Sequence, residues 1–131
     1  MGKYISKYTG QEIDEKLRPY KVYTALLTQI GIDDPVAVVF ENTLGGDIVW
    51  ARTSQGYYEG VLADAFTENK TFFLVTSNNV NYDTSIKQMS CVWNTTSKIV
   101  VLNGIIDYDG GFNGGNYYDY WKYFIEIRVY D

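Results

Sequence analysis

The run Tyr123-Phe124-Ile125-Glu126-Ile127-Arg128-Val129-Tyr130 decides the fold class. Tyr123, Ile125, Ile127 and Val129 alternate with Phe124, Glu126, Arg128 and Tyr130. Such a period of two residues puts an apolar set and a mixed set on opposite sides of an extended chain. The reading is a strand with one face in a core. Working back towards the start, β-branched or aromatic runs recur at residues 21–29, 36–41, 47–52, 57–62, 71–77, 88–93 and 98–103. With the last run they make about eight strands.

The stretches between the runs carry turn chemistry: Asp33-Asp34-Pro35, Gly45-Gly46, Ser54-Gln55-Gly56, Glu68-Asn69-Lys70, Asn78-Asn79 and Asn94-Thr95-Thr96-Ser97. No helical period returns after Tyr20, which excludes an α/β fold built on parallel strands. The sequence predicts an all-β domain over residues 20–131, an antiparallel β-sandwich or jelly-roll-like barrel.

Ahead of it, residues 1–19 form a separate segment. Thr9 with Glu12 three residues on is a capping box, predicting one short helix over residues 10–17 that Pro19 brings to an end. Ile13 and Leu17 fall four apart on one helix face. A helix this brief needs a surface to pack on, so Tyr4, Ile5, Tyr8, Ile13 and Leu17 are the candidate docking or oligomerisation residues.

The chain has 131 residues, enough to bury one core without disulfide staples, and carries a single cysteine, Cys91, set in an apolar run where an inert packed thiol is expected. A formal charge of -5 argues against a nucleic-acid partner. The cations crowd the first segment at Lys3, Lys7, Lys16, Arg18 and Lys21, an arm suited to an acidic surface. No apolar run is long enough to span a bilayer as a helix, and no stretch reads as a secretory signal, so membrane insertion and export are not expected.

The chain has no histidine, which removes the Ser-His and Cys-His nucleophile pairs, imidazole bases and the commonest zinc ligand together. Paired carboxylates could still serve a glycosidase, but no spacing singles out a pair, and a non-enzymatic role is expected. Asp107-Tyr108-Asp109-Gly110-Gly111 opens like a calcium loop. Gly111 and Tyr118 then stand where that loop needs an oxygen ligand and a bidentate Glu, so neither metal nor cofactor is expected.

Residues 107–121, D-Y-D-G-G-F-N-G-G-N-Y-Y-D-Y-W, join paired glycines to large amphipathic rings. That is the composition of an adaptable contact loop. It is equally that of a hairpin tip folded back on its sheet. On the first reading Asn116, Tyr117, Tyr118, Asp119, Tyr120 and Trp121 are candidate contacts for a host surface or glycan, since sugar faces stack on aromatic rings while their hydroxyls pair with Asp and Asn.

Two sets of phrases carry a resemblance. The opening K-Y-T-G-Q-E-I-D-E-K-L of residues 7–17 resembles the helical lead-in of phage fibre and tail proteins. Y-K-V-Y-T-A-L-L-T-Q (20–29), E-N-T-L-G-G-D-I-V-W-A-R (41–52), G-Y-Y-E-G (56–60) and F-I-E-I-R-V-Y (124–130) are similar to small virion modules of phages and prophages, particularly those of Bacteroidetes. The resemblance implies a bacteriophage virion protein, a fibre head or surface decoration, homo-oligomeric with a trimer favoured, that contacts other virion proteins and the host surface. It transfers no catalytic residue. The alternative from the residues is a stand-alone carbohydrate-binding module that uses the aromatic loop.

Overall fold

The computed structural model describes residues 18–77, 86–106, 112–114 and 120–131, with the backbone alone for 77, 86–88, 104–106, 112–114 and 120. The helix expected over residues 10–17 lies outside the described residues. Every described element is a strand: β1 (Tyr20–Ile30), β2 (Val36–Asn42), β3 (Val49–Ser54), β4 (Tyr57–Val61), β5 (Thr71–Ser77), β6 (Ile86–Thr95), β7 (Lys98–Ile106), β8 (Phe112–Gly114) and β9 (Tyr120–Tyr130).

The strands form two antiparallel sheets in a sandwich-like, all-β arrangement. The first has the order β2-β1-β9-β5; the second has the order β3-β4-β7-β6, with β8 added beside β7. The first and last strands pair along their whole length, Tyr20 with Tyr130 through to Ile30 with Tyr120, and close the domain on itself. Two-residue connections join β3 to β4 and β6 to β7. At the β3–β4 turn Gly56 adopts φ 78°, a left-handed conformation that a side chain would strain, and its carbonyl accepts from the Asn103 amide at 2.9 Å.

The alternation read from residues 123–130 is the rule that builds the core. On β9, Trp121, Tyr123, Ile125, Ile127 and Val129 all point inward; on β1, Tyr23, Ala25 and Leu27 do so. The second sheet answers with Trp50, Tyr58, Ile99 and Val101, while Leu44, Ile48 and Phe66 plug the core from the connections. Packing is tight at Gly60, where a Cβ would stand 2.8 Å from the Trp50 ring and 2.9 Å from an Ile48 methyl.

Candidate functional site

The sequence proposed contacts in the loop before β9. Asn116, Tyr117, Tyr118 and Asp119 lie outside the described residues, as do Tyr4, Ile5, Tyr8, Ile13 and Leu17 of the first segment. Tyr120 opens β9, its backbone opposite Ile30. Trp121 corrects the expectation made for it: its side chain is 1% exposed, with its ring edge-on to Tyr58 at 5.1 Å and 5.7 Å from Tyr123. It shares the inward parity of Tyr123 and Ile125, so the strand alternation, not the loop composition, sets its direction.

Around Trp121 the interior is polar. Gln29, opposite it on β1, is fully buried and donates to the carbonyls of Gly31 and Asp33 at 2.6 and 3.1 Å, while its side-chain oxygen accepts from Tyr58 at 3.2 Å. The Tyr123 hydroxyl donates to Asn103 at 3.4 Å, and Trp50 donates to the Tyr23 hydroxyl at 3.2 Å. Trp121 Nε1 alone among these donors is buried without an acceptor. Burial pushes the phenols of Tyr23 and Tyr123 above their ordinary range, and it pushes the Cys91 thiol up as well. The two phenols stay neutral, and their hydrogen bonds to Trp50 and Asn103 link the two sheets.

The outward face of the first sheet has a different character. Val36, Val38 and Phe40 on β2 and Phe72 and Leu74 on β5 are each 54–65% exposed. Between them the half-buried Leu26 and Phe124 continue the same face across β1 and β9, because Val38 pairs with Leu26, Leu26 with Phe124, and Phe124 with Thr76. Phe40 follows Val38 by two residues and shares its outward direction, its ring stacking on Phe124 at 6.2 Å, while the register shift opposite Thr24 and Ala25 brings the next residue, Glu41, opposite Thr24. Towards one end of the strands Tyr20, Tyr130 and Phe72 form a second aromatic row, with ring centroids 5.1 and 5.7 Å apart and the Arg128 guanidinium 4.7 Å above Tyr20. Phe72, Phe73, Leu74, Arg128 and Tyr130 line a shallow apolar groove of about 470 Å³ there.

Both carboxylates on this face are paired within it. Arg128 Nε donates to Glu126 at 2.7 Å, and Arg18 pairs with Glu41. The outer face of the second sheet is organised otherwise. Its exposed apolar side chains, Val49, Tyr57 and Val92, are scattered over β3, β4 and β6 around the Glu59–Lys98 ion pair.

Among the described residues no three His, Cys, Asp or Glu side chains converge as metal ligands would, and no helix is long and apolar enough to cross a membrane. No protein-family profile matches the chain, and no curated protein or solved structure is similar to it.

Proposed function

We propose that this chain is a non-enzymatic structural module of a bacteriophage particle, a fibre-head or surface-decoration domain that works by contact. Residues 1–19, with a short helix over 10–17, dock it on the particle, and residues 20–131 form the outward domain, made in the host cytoplasm and released on lysis. The single observation that carries a contact role is the outer face of the β2-β1-β9-β5 sheet. A face with apolar side chains more than half exposed on both edge strands is costly to leave in water, and the largest apolar patch of a domain is often its functional contact surface. The virion setting rests on the resemblance of residues 7–17, 20–29, 41–52 and 124–130 to phage modules, which also favours a homo-oligomer, with a trimer first among the possibilities.

The carbohydrate-binding alternative is weakened by the burial of Trp121, the ring best suited to stack on a sugar. The deciding experiment is mass spectrometry of particles from bacteria carrying the gene, purified by density gradient after lysis. Recovery of the chain at a fixed ratio to the other particle proteins supports the reading. Recovery only in the soluble fraction overturns it.

A further inference from the structure

We propose that the outer face of the β2-β1-β9-β5 sheet is covered by a second copy of this chain. The inference deepens the contact role proposed above and rests on it, adding which surface is used and what occupies it. Val36, Val38, Phe40, Phe72 and Leu74, each more than half exposed, leave on the order of 500 Å² of apolar side chain open, near the top of the range for a monomeric domain's largest patch. A contact covers similar areas on both sides, so seating another protein here removes on the order of 1,000 Å² from water, where stable biological contacts begin.

The electrostatics select the occupant. The chain as a whole carries -5, so copies repel one another through most of their surfaces. On this face the charged side chains are Arg18, Lys122 and Arg128 against Glu41 and Glu126, and Glu126 and Glu41 are already paired with arginines of the same face. A basic partner therefore finds no unmatched carboxylate to neutralise, and the one cation in excess, Lys122, offers an anionic partner a single charge in a mainly apolar face. An apolar sheet face without net negative charge is what another copy of the face offers, and two such faces pack as sheets do in a sandwich core. Neither edge strand blocks the approach: β2 and β5 present Val38 and Leu74 on the open side, with exposed Thr76 beside them.

The test is sedimentation equilibrium on the full chain and on four single variants. Val38→Glu and Leu74→Glu put a carboxylate into the contact, and Thr76→Arg, at an exposed polar position, crowds it without touching the core. Val49→Glu, 66% exposed on the opposite outer face, is the control. The expected result is an oligomeric wild type, a dissociation constant raised at least about a hundredfold by each of the first three changes, and an unaltered control. Near-UV circular dichroism shows that each variant has kept its packed rings, and Thr76→Arg decides if either glutamate variant has not. An oligomer that none of the three weakens overturns the assignment of this face while leaving self-assembly standing. A monomeric wild type at tens of micromolar overturns the second copy as occupant; the particle fractionation above then shows separately whether the contact role survives.

Discussion

Replacing Trp121 by alanine tests whether the last strand points its rings where the alternation places them. The indole is 1% exposed and packs edge-on against Tyr58, so truncation opens a cavity between the sheets, a change that costs about 3–5 kcal/mol. One contribution runs the other way. Nε1 is buried without an acceptor, a state that itself costs about 1–3 kcal/mol, and the alanine variant no longer carries it. The net expectation is the lower end, about 3 kcal/mol. With an unfolding entropy of about 2.1 cal/mol/K per residue, a chain of 131 residues loses roughly 11 °C of Tm. Trp121→Phe separates the two effects, since it keeps most of the ring packing and removes the orphaned donor, and it is expected within about 1 kcal/mol of wild type. Thermal and urea unfolding followed by near-UV circular dichroism measure both. A fall in Tm below about 3 °C for Trp121→Ala would show that the ring is not in the core. Equal losses for the two variants would refute the argument from the unpartnered donor.

Other outcomes follow from the same packing. Gly60→Ala drives a methyl into the Trp50 ring and Ile48, and urea titration should show a loss of about 1–3 kcal/mol. Cys91 packs against the core with its thiol pushed up, so Ellman's reagent at pH 8 should label it only when the chain is unfolded in denaturant; rapid labelling of the native protein would refute its placement. Tyr23 and Tyr123 have folded values raised above the ordinary 10.0, so the unfolded chain ionises first as pH rises. Their contribution is complete below about pH 10 and is lost above it, so the urea midpoint should hold steady to about pH 9 and then fall. A midpoint that rises through this range contradicts the sign.

All the runs read from the sequence fall within strands or abut them, because alternation and turn residues are local signals that need no knowledge of neighbours. Where the reading slipped, composition and periodicity disagreed. Trp121 sits in a Tyr- and Gly-rich stretch whose composition fits either a contact loop or a hairpin tip folded back on its sheet, and it lies two residues before Tyr123 and continues the inward series. Strand β8, Phe112–Gly114, has no strand chemistry of its own and is held by pairing with residues 104–106 of β7. At the third run, Asp47 and Ile48 precede β3, with Ile48 buried from the connection.

The candidate site was legible only in part. Phe124, Glu126, Arg128 and Tyr130 read as a mixed face, which they are along one strand. Their apolar character emerges when Val38, Leu26 and Phe124 line up across β2, β1 and β9, with Leu74 of β5 one rung on, opposite Glu126. That alignment depends on pairing the first strand with the last, a long-range choice no local pattern records.

The central claim, that this face is covered in the native protein, is tested most directly by hydroxyl-radical footprinting of the full chain at assembly concentrations, read by mass spectrometry. Phe40, Phe72 and Leu74 are compared with Val49, Tyr57 and Val92, after correction for each residue type's own reactivity. The account predicts that the first three are oxidised several-fold more slowly than their exposure in the single chain implies, while the second three react as that exposure dictates. Equal protection of the two sets, or free oxidation of Phe40, Phe72 and Leu74, would contradict it.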